Sequence, residues 1–150
     1  MLGGQVNAGP TFRFPDVLKH QDEDVVSIDD LSLVERNFSG WIAEEVPHCL
    51  PMMAILQDGY AVSVCFCARR SEVAAEAGLE TASEFRGRGF GPRVTAAWAT
   101  AIRALGLRPL YSTSWSNTAS LAVARKLGLV ESTSDWSLVD QTSSARPLQS

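Results

Sequence analysis

Arginine and glycine are concentrated in one short stretch, which reads Arg-Gly-Arg-Gly-Phe-Gly-Pro at residues 86–92 and is followed by Arg93. Glycine lets the backbone turn tightly and approach a ligand without a Cβ in the way. Proline suits the first turn of a helix. The free N–H groups of such a turn lie at the positive end of the helix dipole and attract phosphate. Because arginine side chains add donors and charge, the stretch predicts a phosphate site between a strand and a helix.

The spacing of this stretch does not fit other phosphate or nucleic-acid motifs. A P-loop needs a lysine and a Ser/Thr after its last glycine, and none follows Gly91. A dinucleotide fingerprint G-x-G-x-x-G is not matched, since the glycines fall at 87, 89 and 91. An RGG-type RNA-binding segment would be disordered, whereas this stretch is embedded in periodic structure. A glycine-rich turn without a ligand stays open as an alternative.

The elements after the stretch are a helix, a strand and a second helix. The first helix has an apolar stripe formed by Val94, Trp98, Ala101, Ile102 and Leu105. Gly106 ends it, and residues 107–114 read as a strand. Ser116 or Asn117 can cap the second helix, which Gly128 closes. A last short strand is predicted over 135–139, before a flexible tail at 141–150.

The elements before the stretch are strands and short helices. Apolar residues at 52–56 and strand formers at 60–68 flank the turn dipeptide Asp58-Gly59, which predicts a hairpin. A third strand is expected over 73–82, with a bulge at Gly78. Further predictions concern the first 50 residues: a loose N-terminal segment at 1–24, edge strands at 11–14 or 25–28, a helix capped by Asp29 or Asp30, and a second helical piece at 41–46 stopped by Pro47.

Composition limits the class of protein. The 150 residues fit one domain, 1–150, and 45% hydrophobic with 20% charged residues is typical of a globular protein. The net charge of −4 argues against a nucleic-acid partner bound by overall charge. Neither a signal peptide nor an apolar run long enough for a membrane span is recognised, so the expected compartment is the cytoplasm. The three cysteines form no C-x-x-C pair, and the sequence contains no metal motif.

Two motifs together carry a family resemblance. Arg86, Gly89 and Gly91 match the pattern [R/Q]-x-x-G-x-[G/A], and one strand later Asn117 and Ser120 match N-x-x-[S/A] in a helix that ends in Lys-Leu-Gly-Leu. In this order the chain resembles the GNAT superfamily of acetyl-CoA-dependent N-acetyltransferases over about residues 50 to 139. The resemblance implies an α/β fold of the α+β type, in which helices flank a mixed, mostly antiparallel sheet. Two strands of that sheet splay apart to form the acyl-CoA cleft.

The resemblance also implies which residues bind acetyl-CoA, the expected co-substrate. Main-chain groups at the end of the strand before the loop would hold the acetyl and pantetheine groups, and the loop would hold the pyrophosphate. Asn117 and Ser120 would face the pantetheine arm or the sulfur. The cofactor-binding residues expected on this basis are Leu79, Glu80, Thr81, Arg86, Gly87, Arg88, Gly89, Phe90, Gly91, Asn117 and Ser120.

Catalytic residues are harder to assign, because acetyl transfer needs a base for the amine and an acid for the thiolate. The tyrosine that many relatives use as the acid is replaced by Ala124. Polar groups on the adjoining strand and loop can substitute, directly or through water: Tyr111, Ser112, Ser114 and Ser116. Some relatives carry a glutamate base at the position of Ala75. The bulge expected at Gly78 would turn the neighbouring Glu76 onto the face of the strand on which that base lies. The catalytic candidates are Glu76, Glu80 and Ser112.

The resemblance predicts an enzyme that moves an acetyl group from acetyl-CoA to an amine of a small molecule, protein or peptide by direct attack. A non-catalytic acyl-CoA-binding module is the alternative, and a phosphate- or RNA-contacting module is a third. No metal, nucleic acid or membrane is expected as a partner. A homodimer in which a second copy completes the sheet is one hypothesis for the assembly.

Overall fold

A seven-stranded sheet with helices on both faces forms the protein, for which the computed structural model describes residues 9–18 and 22–132. The strands are β1 (Thr11–Arg13), β2 (Val25–Ile28), β3 (Met52–Gln57), β4 (Tyr60–Arg70), β5 (Ala74–Thr81), β6 (Arg108–Ser112) and β7 (Val130–Ser132). The helices are α1 (Leu31–Val34), α2 (Phe90–Ala104) and α3 (Thr118–Lys126), with 3₁₀ turns at Val46–Cys49 and Ser83–Phe85. The strand order is β2-β3-β4-β5-β6-β1-β7, and within it only β5 and β6 are parallel. The predicted mixed, mostly antiparallel sheet is confirmed.

The elements around the glycine-rich stretch agree best with their predictions. The β3–β4 hairpin turns at Asp58 and Gly59, whose φ angles of 55° and 84° are the left-handed values that a tight hairpin turn needs. Helix α2 begins two residues before Pro92, which lies in its first turn. Asn117 rather than Ser116 caps α3, because its side-chain oxygen accepts a hydrogen bond from the N–H of Ser120.

Several predictions for the rest of the chain are wrong. The edge strand predicted at 25–28 is confirmed as β2, but β1 is not an edge strand, since it pairs with both β6 and β7. No helix forms over 41–46: residues 43–45 are in a turn, and the 3₁₀ turn begins at Val46, with Pro47 inside it instead of ending it. Strand β7 has no counterpart among the predictions. The strand predicted over 135–139, the tail at 141–150 and parts of the N-terminal segment lie outside the described residues.

The predicted bulge at Gly78 is also wrong. Gly78 pairs in register with Phe66, and the register shift lies in β4, between Cys67 and Arg69. Gly78 serves a different purpose, because a Cβ at this position would overlap the ring of Phe66. The glycine therefore lets the Phe66 ring lie directly on β5.

Replacing Gly78 with alanine is expected to cost about 1–3 kcal/mol of unfolding free energy, since the new methyl group overpacks against the ring. Urea denaturation measures this cost. In a Phe66→Leu background, where the ring is gone, the same substitution should cost clearly less. An equal cost in both backgrounds would show that the ring does not set the requirement for glycine.

The sheet separates two apolar clusters. One lies under α2 and α3 and includes Trp98, Ile102 and Tyr111, all less than 2% exposed. The other packs under α1 and includes Met52 and Val64. Because side chains alternate along a strand, β3 and β4 contribute to both clusters, whereas β5 contributes Ala75 and Ala77 to the cluster under α2 and Ala74 to a small separate one with Leu110. The two faces of β5 consequently meet different surroundings.

Candidate acyl-CoA site

The parallel strands β5 and β6 separate before they end. Their pairing runs from Ala74 with Arg108 to Ala77 with Tyr111, and β5 continues for four more residues to Thr81. The last half of β5 therefore has β4 on one side and no paired strand on the other. This unpaired edge of β5 lies at the carboxyl end of both strands, where open sheets with parallel strands bind ligands, and we call the space beside it the cleft.

The main-chain groups of β5 alternate between β4 and this cleft. Glu80 is paired with Val64, and the N–H of Ala82 donates to the carbonyl of Val62 at 2.8 Å. Since hydrogen-bonded pairs alternate in an antiparallel ladder, the N–H and C=O of Glu80 are directed to β4. Those of Leu79 and Thr81 are directed to the cleft. Of the three predicted residues, Leu79 and Thr81 thus direct main-chain groups to the cleft and Glu80 does not, while their contact with a ligand stays a prediction.

The glycine-rich stretch follows immediately at the same end of the sheet. Gly87 and Gly89 have φ angles of 79° and 81°, which other residues rarely adopt. Gly89 is the N-cap of α2, so the N–H groups of Gly89, Phe90 and Gly91 have no acceptor within the helix. Pro92 occupies the fourth position, at which a helix also lacks an internal acceptor, but proline has no N–H to donate. A Cβ at Gly91 would lie 3.4 Å from Cδ2 of Leu79 and 3.5 Å from Cγ2 of Val123, so the first turn of α2 packs closely on β5 and α3.

The arginines and phenylalanines of the stretch form a layered stack. Phe85 and Phe90 stack with their ring centroids 6.3 Å apart. The Arg88 guanidinium covers Phe85 at 4.8 Å, and that of Arg93 covers Phe90 at 5.6 Å. Such stacks hold a loop through cation–π and aromatic contacts. The ring of Phe90 therefore supports the loop, while its N–H belongs to the helix terminus.

The three arginines differ in their availability to an anion. Arg93 donates two hydrogen bonds to Asp22 and one to Asp24, so its charge is already neutralised, and the Asp22 carboxylate raises its pKa further. Arg86 and Arg88 are exposed, and among the described residues they donate to main-chain carbonyls alone, those of Thr81 and Glu84. The local positive charge therefore comes from Arg86 and Arg88.

The start of α3 lies at the same edge of the sheet. Its predicted cofactor-binding residues, Asn117 and Ser120, form hydrogen bonds within the protein. Asn117 accepts a bond from the N–H of Ser120 at 3.0 Å. The hydroxyl groups of Ser120 and Tyr111 are 2.5 Å apart, and the Tyr111 hydroxyl also donates to the Ser120 carbonyl at 3.3 Å. Burial raises the pKa of Tyr111 to about 12.

Glu76, Glu80 and Ser112 lie on one face of the sheet, opposite to α2. Their surroundings differ. Glu76 is 3% exposed and lies 3.8 Å from the guanidinium of Arg69. Ser112 shares a hydrogen bond of 2.9 Å with the hydroxyl of Thr11. Glu80 is exposed at the end of β5, where partial burial raises its pKa and a hydrogen bond with Trp41 opposes the rise. Of the three, Glu80 has the side chain most accessible to an acceptor.

Trp41 and Phe66 were not among the predicted site residues. Their ring centroids are 4.8 Å apart in an edge-on arrangement, beside Gly78 and Glu80. Trp41 comes from the turns before β3, far from Glu80 in the sequence. Only the register of β4 and β5 brings these groups together, so no local motif signals them.

The cysteines next to the site are poorly suited to nucleophilic chemistry. Cys65 and Cys67 are 0% and 2% exposed and lie under α2. Burial raises the pKa of Cys65 far above its usual range and that of Cys67 to about 11. Because the thiolate is the reactive form, neither thiol is activated.

The separated parallel strands and the glycine-capped helix that follows β5 are the arrangement that the GNAT resemblance implies. A family profile described as GNAT acetyltransferase matches residues 53–135, more than half of the chain, which therefore belongs to this family. No curated protein matches the sequence significantly. Within the described residues there is no cluster of three or more potential metal ligands, and none of the described helices is long and apolar enough to cross a membrane.

Solved structures support the fold. A GNAT-family protein from Novosphingobium aromaticivorans is 19% identical with a TM-score of 0.67, and the match covers 83% of this chain and 59% of the other. An acetyltransferase of the GNAT family from Colwellia psychrerythraea is 14% identical with a TM-score of 0.68, covering 85% and 53%. A GCN5-related N-acetyltransferase-like protein from Streptococcus suis is 18% identical with a TM-score of 0.59, covering 83% and 58%. The chain thus spans somewhat more than half the length of these relatives.

Proposed function

We propose that this chain binds acetyl-CoA in the cleft between β5 and β6 and transfers its acetyl group to an amine by direct attack. The observation that carries the proposal is the coincidence of two features at one end of the sheet. Strand β5 leaves β6 after Ala77, and a helix capped by Gly89 presents its orphan N–H groups four residues after the 3₁₀ turn that follows β5. Main-chain donors for amides and for pyrophosphate thus follow one another along the cleft.

In this mechanism the base and the acid lie on opposite faces of the sheet. On the face opposite to α2, Glu80 accepts the proton of the acceptor ammonium, directly or through water, and the freed amine nitrogen bonds to the acetyl carbon. Main-chain N–H groups at Leu79 or Thr81 stabilise the charge that develops on the carbonyl oxygen. As the carbon–sulfur bond breaks, the hydroxyl pair of Tyr111 and Ser120 supplies a proton to the thiolate. Tyr111 is protonated at neutral pH and so carries a proton to give, and burial raises its pKa to about 12.

Direct attack is favoured over a covalent acyl-enzyme by the burial of Cys65 and Cys67. A non-catalytic acyl-CoA-binding module is the second candidate. It is favoured by Ala124, because this position holds the tyrosine that acts as the acid in many relatives. Ala124 is 2% exposed.

Free-thiol release from acetyl-CoA in the presence of amines distinguishes the two functions. The enzyme releases one thiol for each acetylated amine. Binding of acetyl-CoA without thiol release across alkylamines, arylamines and lysine peptides would support the binding module instead.

A further inference from the structure

Within the described residues, helices cover one face of the sheet at the end of β5 and leave the other face open to an acceptor. The side chain of Leu79 faces α2 and α3, because Gly91 and Val123 lie beside it. Helices therefore cover this face of β5. Gly78 and Glu80 face the opposite side, where Gly78 has no side chain and Glu80 is exposed. An acceptor must approach the end of β5 across this second face.

Three side chains form the surface that such an acceptor would meet, and we call Trp41, Phe66 and Glu80 the acceptor platform. The Phe66 ring lies on Gly78, and Trp41 stands edge-on to Phe66 with an interplanar angle of 84°. The Trp41 side chain also lies close enough to the Glu80 carboxylate to oppose the rise in its pKa. The two aromatic side chains are half-buried, so each keeps part of its surface accessible.

The chemistry of the platform suits a positively charged ligand. A carboxylate attracts an ammonium group, and aromatic faces attract both the cation and an alkyl stem beside it. The guanidinium of Arg69 is paired with Glu76, and in the described part of the chain Glu80 forms no salt bridge. The arginines that would hold phosphate, Arg86 and Arg88, donate to carbonyl groups around the glycine-rich stretch instead. The negative charge of Glu80 therefore lies on the face proposed for the acceptor, and the positive charges of Arg86 and Arg88 lie at the glycine-rich stretch proposed for the phosphates.

We infer that the acceptor is an alkylamine that is a cation at neutral pH, and that Trp41 is a specificity-determining residue that contacts it. This inference rests on the proposed function. Trp41 supplies an aromatic wall for the amine and its stem, beside the Glu80 carboxylate. An arylamine that is neutral at pH 7 gains nothing from the carboxylate.

The experiment measures thiol release with tyramine, 1,5-diaminopentane and neutral p-anisidine as acceptors. Trp41→Ala is expected to raise the KM of both alkylamines about tenfold, the size of a partly desolvated cation–π contact. The KM of acetyl-CoA should stay within about twofold, because the platform lies on the opposite face from the phosphate loop. Trp41→Phe keeps an aromatic ring and should restore part of the loss. Ile42→Ala removes an exposed neighbour, 50% accessible, and serves as the matched control.

Two outcomes overturn the inference while leaving the proposed function intact. One is an unchanged alkylamine KM in Trp41→Ala. The other is a wild-type kcat/KM for p-anisidine equal to or above that for the alkylamines. Failure of the proposed function looks different, since the wild-type chain would then release no thiol with any of the three amines, and the inference would fall with it.

Discussion

Gly89→Glu is expected to abolish acetyl-CoA binding while the chain stays folded. Gly89 has a φ of 81° and caps α2, and a Cβ built on it has open space around it. A glutamate there would place a carboxylate at the N–H groups proposed to hold the pyrophosphate, where it would exclude the ligand by volume and by like charge. Calorimetric titration with acetyl-CoA measures the loss.

The matched control for this substitution is Gly40→Glu. Gly40 also has a positive φ, 94°, and also has open space around its would-be Cβ, but it lies outside the glycine-rich stretch. Both variants should lose about 1–2 kcal/mol of stability, because a residue with a Cβ is strained in this conformation. Only Gly89→Glu should lose acetyl-CoA binding. Retained binding in Gly89→Glu would mean that the pyrophosphate lies elsewhere.

Glu80→Gln is expected to lower kcat at pH 7 by about 100-fold or more, the usual contribution of a positioned general base. In the wild type the base form of Glu80 is lost as the pH falls through its pKa. Because burial raises that pKa, the acidic limb of the pH profile should begin above the pH at which an ordinary glutamate titrates. The glutamine variant should lose this limb.

The pH dependence also separates a base from a purely structural residue. At high pH the amine is already deprotonated, so the deficit of Glu80→Gln should shrink as the pH approaches the pKa of the acceptor. Glu72→Gln removes an exposed carboxylate in the turn between β4 and β5 and should leave kcat unchanged. An equal deficit at all pH values would contradict the role of Glu80 as a base.

The regions that the sequence predicts well are governed by local rules. The turn at Asp58 and Gly59, the first turn of α2 and the Asn117 cap each depend on residues within a few positions of one another. The glycine-rich stretch is of this kind, and so the phosphate side of the site is predictable from its spacing.

The acceptor side depends on pairing between distant parts of the chain, which spacing does not encode. The bulge expected at Gly78 lies instead in β4, and the requirement for glycine comes from Phe66 on the neighbouring strand. Which main-chain groups of Leu79, Glu80 and Thr81 face the cleft follows from the register with β4. The neutralisation of Arg93 depends on Asp22, 71 positions away. Each of these facts needs the tertiary structure.

Calorimetric titration of the wild-type chain with acetyl-CoA and with S-acetylpantetheine, which carries the same thioester but no phosphate, tests the central claim most directly. One acetyl-CoA is expected to bind per chain. At a ligand concentration 100 times Kd, this binding should raise the free energy of unfolding by about 2.7 kcal/mol. S-acetylpantetheine should bind far more weakly, because it offers nothing to the N–H groups around Gly89. Absence of binding at millimolar acetyl-CoA, or equal affinity for the two compounds, would contradict the account.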